Sequence, residues 1–444
     1  MTGSPDFLLP EAQIANLDAG NLVAGSTRWD SDGDGIFFNE TRVGFLWSPA
    51  SGAQVFAIPE NLYGNPTFYF PSAISDTGSV SGTALFRLQR QALPFLWTAG
   101  AGVQFLSLPC HGPPPTVTGG PSTACSGSTT GLSANGAAVA GQVIDGEGNA
   151  HAARWKLGGG RPGDVGRAEP DARGAGGSGV GSLRPKERPL ARPSAQRDSP
   201  RRSRFTLEQL DTAAPWSDGL AISADGRVVV GEIAPEGLDV TAARWIDGVA
   251  QALEPVGDAS SAVQTSADGG VALGWGFVDG RLVLVRWDAQ GDAQLLPPPE
   301  GWSLETIRAS NRAATAAVGA LSLDGNWAPY VWTHSGGFRI LPELGREGDY
   351  DQSEAIGLSE DGHAVVGALQ ASVISNGDPP SLAFLWTADG GLFTLNDLLA
   401  TVGFPDPDFF SALAISGDGR RILATGNPGE PAGDTNSLIL TLAP

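Results

Sequence analysis

Short apolar runs, each ended by a polar, Gly-containing turn, recur along the whole chain. In residues 221–231, "AISADGRVVVG", an apolar strand closes on Ser223, a tight polar turn follows, and a Val-rich strand ends in Gly231. The same outline returns as "LSANGAAVAG" from Leu132, "TSADGGVALG" from Thr265 and "LSEDGHAVVG" from Leu358. Runs of this length between turn residues predict β-hairpins, not helices.

Two further motifs follow each hairpin in constant order. The first is a Trp strand, as in "GFLWS" (Trp47), "PFLWT" (Trp97), "AARWK" (Trp155), "AARWI" (Trp245), "LVRWD" (Trp287), "YVWT" (Trp332) and "AFLWT" (Trp386). The second is a Leu- or Pro-rich strand such as "VFAIP", "QALEP" or "LFTLNDL". Four short strands per unit is the blade of a β-propeller. The chain is therefore predicted to be all-β, a single propeller over residues 1–444.

The Trp spacings are 50, 58, 90, 42, 45 and 54 residues, so one is too long for a blade. Residues 161–204 account for the excess, and without their 44 positions the third unit shrinks to 46. That segment carries 10 Arg and one Lys against five acids, has no aromatic residue and shows no apolar alternation. It is expected to be a disordered Arg/Pro/Gly-rich insertion within blade three. Two origins fit it: a basic loop that binds acidic surfaces, or compensating frameshifts in a GC-rich gene, and the second fits better.

Turn glycines stand at Gly20, Gly78, Gly136, Gly226, Gly269, Gly362 and Gly419, with Ala314 in "SNRAATAAVG" as an eighth, decayed member. Seven Trp strands and a degraded eighth, "SLILTL" near Leu440, match that count. The chain ends without a Leu/Pro strand but begins with one, "DFLLPEA". Eight four-stranded blades are expected, with the N-terminal strand completing the C-terminal blade and so removing an open edge.

The turn residues have a structural explanation. Gly allows φ > 0, Asp or Asn before it bonds its own backbone, and the Ser hydroxyl caps the same turn. A motif that recurs eight times and tolerates Thr77, Asn135 and Ala314 reads as a hairpin device. Each Trp is expected to fill the space between blades. Arg154, Arg244 and Arg286, which alternate with Leu and Phe beside it, are expected on a half-exposed face.

Composition narrows the function. The formal net charge of -21 argues against nucleic acid or an anionic membrane as partner. No apolar run is long enough to span a bilayer as a helix. The first residues, "MTGSPDFLLP", lack the features of a signal peptide, so the chain is either cytoplasmic or starts further upstream.

Candidate chemistry is sparse. In "WDSDGDGIFFNE", Asp30, Asp32 and Asp34 have the D-x-D-x-D-G spacing of a calcium loop, with Glu40 close to the closing position but off register. An acidic solvated turn is the alternative. Cys110 and Cys125, the two cysteines, flank one Pro/Gly-rich connection, which points to a disulfide and an oxidising compartment; a metal pair with His111 is short of ligands. A bond across such a loop contributes about 3 kcal/mol in the chain-entropy view. His111, His151, His334 and His363 lie near no nucleophile signature.

The combined pattern "AISADGRVVVG…AARW…QALEP" and "LSEDGHAVVG…AFLWT…LFTL" resembles the HAF-type extracellular repeats of bacteria, over most of the chain outside 161–204. The resemblance implies a secreted or envelope-associated repeat propeller and carries no catalytic residues across. The turn also resembles the Asp-box of sialidases, but Val or Ala stands where that box has an aromatic residue. The expectation is a monomeric, non-enzymatic binding scaffold, extracellular or periplasmic, with a protein or glycan ligand, no required cofactor and calcium at the Asp loop. The alternative is a propeller enzyme, a glycan hydrolase or lyase, with carboxylates gathered at the channel mouth.

Overall fold

The computed structural model describes residues 8–9, 12–28, 42–56, 68–86, 91–109, 125–157, 205–210, 214–235, 239–342, 350–371, 381–404, 407–426 and 436–442. They form eight antiparallel sheets, seven joining strands in chain order and the eighth completed by the N-terminal strand, arranged as an eight-bladed β-propeller. The first strands are Ala12–Asn16 in blade 1, Phe68–Ile74 in blade 2, Ser126–Leu132 in blade 3 and Trp216–Ile222 in blade 4. Ala259–Thr265, Glu354–Leu358 and Phe409–Ile415 play that part in blades 5, 7 and 8. In blade 6 it is split into Ser303–Leu304 and Ala309–Ser310, both paired with Ala316–Leu323. At seven of the eight junctions, blade 8 against blade 1 included, the first strands of neighbouring blades lie against one another and form the inner ring.

The last blade closes as expected. Leu8 pairs with Leu438 and Leu9 with Ser437, antiparallel, so the N-terminal strand is the outer strand of blade 8. In blade 3 the Trp strand Ala150–Leu157 pairs with Phe205–Gln209, Leu157 opposite Phe205 and Trp155 opposite Leu207. The residues between, 161–204 among them, lie outside the described set. One expectation fails in blade 7: "LFTLNDL" is a strand only over Gly391–Thr394 and then turns into the helix Leu395–Thr401. The Thr394 side chain accepts the Asp397 amide at 3.0 Å and caps that helix, which buries Leu395 and Leu399.

Both glycines of the hairpin motif follow from backbone geometry. The turn residues Gly226 and Ala314 have φ of 77° and 51°, so the decayed turn keeps the left-handed conformation that Gly makes easy. The strand-ending Gly has a different cause. The inner strand of blade 4 carries a bulge between Gly219 and Ala221, and it drives the Asp218 carbonyl into the second strand. A Cβ on Gly231 would sit 1.9 Å from that carbonyl oxygen, and one on Gly274 in blade 5 would sit 1.8 Å from the Ser261 oxygen.

The cores lie between blades, not within them. Trp287 packs with Val228, Val230 and Leu253 of blade 4, and Trp47 of blade 1 packs with Leu423 and Ile439 of blade 8. Leu440 takes the Trp register in blade 8, opposite Ile422, and packs against blade 7. Burying one indole removes roughly 200 Å² from water, on the order of 5 kcal/mol as an upper bound. Direction comes from the ring nitrogen: Trp155 donates to the Ser107 carbonyl of blade 2 at 2.7 Å, and Trp287 to that of Glu254 in blade 4 at 3.0 Å.

Of the three arginines beside these tryptophans, Arg286 is half-buried as expected, but Arg154 and Arg244 are not on a half-exposed face. Arg154 and Arg244 are each 1 % exposed. They leave the sheet on the side opposite Trp and reach the following blade. Arg154 donates to the Gly226 and Arg227 carbonyls at 3.0 and 2.8 Å and pairs with Glu208 at 2.6 Å. Arg244 donates to the Asp288 and Ala289 carbonyls at 2.7 and 2.9 Å and to Gln251 at 3.0 Å. Leu46, Leu96 and Leu385 occupy the same position in other blades and are buried too. The site accepts either an apolar side chain or a guanidinium that satisfies carbonyls, so alternation in the sequence did not signal exposure.

Candidate functional site: the turn-face mouth

The eight hairpin turns gather around one mouth of the ring, and four of them share one set of bonds. In blade 4 the buried Ser223 hydroxyl donates to Asp225 at 2.7 Å and accepts the Val228 amide at 3.0 Å, while Asp225 accepts the Arg227 amide at 3.0 Å. Blades 5, 7 and 8 repeat this with Ser266–Asp268, Ser359–Asp361 and Ser416–Asp418. Asn135 replaces Asp in blade 3, and in blade 6 the Asn311 side chain alone accepts the Thr315 and Ala316 amides. The Ser hydroxyl first, and the following amide second, hold the Asp268 and Asp418 carboxyls below the usual range.

The residue after Ser has no part in its own turn and links to the next blade instead. The amide of Asp76 donates to the Ala134 carbonyl at 2.8 Å, Ala134 to Ala224 at 3.0 Å, Ala224 to Ala267 at 2.9 Å, and Ala267 to Arg312 at 2.7 Å. Glu360 donates to the Gly417 carbonyl at 2.9 Å. At the other junctions a side chain closes the circle. The Arg312 amide donates to a Glu360 carboxylate oxygen at 3.3 Å, and the Gly417 amide donates to both oxygens of Asp18, at 3.0 and 3.1 Å. The Asn16 amide group donates to the Asp76 carboxylate at 3.0 Å. Where a backbone carbonyl accepts, the residue is Ala, Arg or Gly; where a carboxylate accepts, it is Asp or Glu.

Along one arc of this circle lies a cavity of about 640 Å³ lined by Asp18, Ala19, Asp76, Arg312, Glu360, Gly417 and Asp418. The lining comes from blades 6, 7, 8, 1 and 2 and is mostly charged. Four carboxylates face one guanidinium, Arg312, so the mouth carries net negative charge. The lining includes no histidine, hydroxyl, thiol or aromatic side chain. Such a surface favours a cation over an anion.

The residues singled out from the sequence are elsewhere. Asp30, Asp32, Asp34 and Glu40 lie outside the described residues, as do Cys110 and His111. Cys125 is 2 % exposed, directly before the inner strand of blade 3, and its carbonyl accepts Gln91 Nε2 at 3.0 Å. Among the described residues no three His, Cys, Asp or Glu side chains form a metal-holding group. No described helix is long and apolar enough to cross a membrane. Sequence reading missed the mouth because four of its lining residues, Asp76, Arg312, Glu360 and Gly417, occupy the variable slot of a recurring turn. The signal was present: the slot reads Asp76, Ala134, Ala224, Ala267, Arg312, Glu360 and Gly417 in order.

No family model matches the chain, and no curated protein matches it in sequence. Solved structures match its fold. A prolyl endopeptidase is similar at a TM-score of 0.52 and 12 % identity, over 88 % of this chain and 50 % of that one. The β-propeller domain of the Trilobed protease from Pyrococcus furiosus is similar at 0.45 and 12 % identity, over 88 % and 98 %. TolB from Acinetobacter baumannii is similar at 0.39 and 11 % identity, over 72 % and 62 %. The chain spans half the length of the prolyl endopeptidase it matches. At these identities the likeness extends to the fold alone: the protein is an eight-bladed β-propeller.

Proposed function

We propose that this protein is a non-enzymatic binding propeller whose turn-face mouth takes a cationic group, an ammonium or guanidinium presented by a protein or peptide partner. The observation that carries the reading is the division of labour in the turn. Ser, Asp and Gly are consumed by the hairpin and the amide of the intervening residue by the circle, which leaves its side chain to vary around a cavity. The protein acts outside the cytoplasm, monomeric, with calcium at the Asp30 loop and a Cys110–Cys125 disulfide; the cysteine arrangement and the resemblance to HAF-type repeats support this. Net charge of -21 turns nucleic acid away. A glycan hydrolase would want aromatic side chains beside its acid pair, and the mouth lining has none.

Titration calorimetry with Lys- and Arg-rich peptides tests the proposal. Binding that weakens with salt and is lost in Asp76→Asn/Glu360→Gln supports it. No binding, binding indifferent to the double substitution, or turnover of a glycan by the pure protein overturns it.

A further inference from the structure

On the face of blade 4 that packs against blade 5, two carboxylates stand opposite each other. Asp218 on the inner strand of blade 4 is the direct antiparallel partner of Glu232 on the next strand, Val228–Ala234. Side chains directly opposite in such a pair stand about 5 Å apart, and like charges there destabilise. Glu232 continues the face of Val228 and Val230, which pack with Leu253 and Val256 and, in blade 5, with Ala262 and Trp287. Asp218 shares that face; its neighbour Gly219 points the other way, toward Gly141 of blade 3. Asp218 Oδ1 is buried without a hydrogen-bond partner.

The surrounding elements offer little compensation. On the same face of blade 4, Arg244 spends its guanidinium on Gln251 and the Asp288 and Ala289 carbonyls. The inner strand of blade 5, Ala259–Thr265, contributes hydroxyls and no cation, and Asp258 precedes it. Ser260 of that strand spends its hydroxyl on the Ala242 amide at 3.1 Å. Arg281 of blade 5 is exposed on the third strand, and Asp239 is exposed at the end of the loop before Thr241. From blade 3, Arg154 is the cation facing blade 4, and it is held by Glu208.

We infer that the blade 4–blade 5 seam is a pH-sensitive joint of the ring, tight while Asp218 is protonated and loosened when it ionises opposite Glu232. Burial first, and the Glu232 charge second, push the Asp218 carboxyl up to about 7, against 3.8 for an ordinary aspartate. The folded value is raised, so the stabilisation is complete below the unfolded value and is lost as pH rises through about 7. A joint that titrates there responds to the pH difference between neutral and mildly acidic surroundings.

Hydrogen exchange on the full chain between pH 5.5 and 8.5, corrected for intrinsic rates, is the test. Protection in strands Val228–Ala234 and Ala259–Thr265 should fall about tenfold or more, one pKa unit being one decade. Strands Ala364–Gln370 and Ser381–Thr387 of blade 7 should not change. Asp218→Asn should abolish the pH response, and Glu232→Gln should shift its midpoint to lower pH, providing a second variant if the first folds poorly. Equal pH responses in the wild type and both variants, or a loss of protection spread evenly over all blades, would overturn the inference.

Discussion

The Asp18 carboxylate accepts the Gly417 amide through both oxygens, at 3.0 and 3.1 Å, across a separation of 399 residues. It is a second closure of the ring, independent of the strand pairing of Leu8 and Leu9 with blade 8. One joins outer edges and the other joins inner turns, so the first and last blades are held at both radii. Arg421 reinforces the inner clasp, with its guanidinium 3.7 Å from Asp18 and 3.0 Å from Asn21 Oδ1.

Asp18→Ala should therefore lower stability by about 1 kcal/mol, a charged hydrogen bond discounted for partial exposure. Asp18→Asn, which keeps an oxygen acceptor, should lose less. Chemical denaturation compares them. A null effect in both would show that the outer strand alone closes the ring.

The outer closure is tested by deleting residues 1–10. The pairing at Leu438 and Ser437 disappears, and the edge of strand Asn436–Thr441 is uncovered. Because loop-closure entropy grows only logarithmically with length, a contact this distant in sequence still stabilises. The truncated protein should melt lower and aggregate faster through the open edge, by scanning calorimetry and light scattering.

Gly231→Ala should destabilise by about 3 kcal/mol or more, because the added carbon meets the Asp218 carbonyl, a backbone atom held by the bulge. Gly100→Ala, with nothing near the added carbon, is the control and should be almost neutral. Comparable losses at both positions would show that the bulge yields.

Arg154→Ala should cost more than Arg154→Leu. The truncation leaves the Gly226 and Arg227 carbonyls unsatisfied beside a void, about 2–4 kcal/mol, whereas Leu refills the volume as Leu46 and Leu96 do in blades 1 and 2. Thermal unfolding of the two variants decides it, and equal losses would assign the whole effect to the carbonyls.

The local pattern alone determined blade number, strand order, the hairpin turns, the Trp register and even the N-terminal closure. Each depends on periodicity and on backbone conformations that Gly, Asp and Ser impose within a few residues. Ala314 was legible as a turn because its neighbours kept the spacing, and the structure confirms its positive φ. Three features needed the fold. The burial of Arg154 depends on carbonyls of the next blade, which no local window contains. The strand-ending glycines answer a bulge in a partner strand. The mouth comes from bonds between turns up to hundreds of residues apart. Whether the residue after Ser is an acid or an alanine then follows from how each junction closes: a carboxylate accepts at Asp76 and Glu360, a carbonyl at Ala224. Hydrogen-bond geometry between blades decides that, and it exists only once the ring has closed.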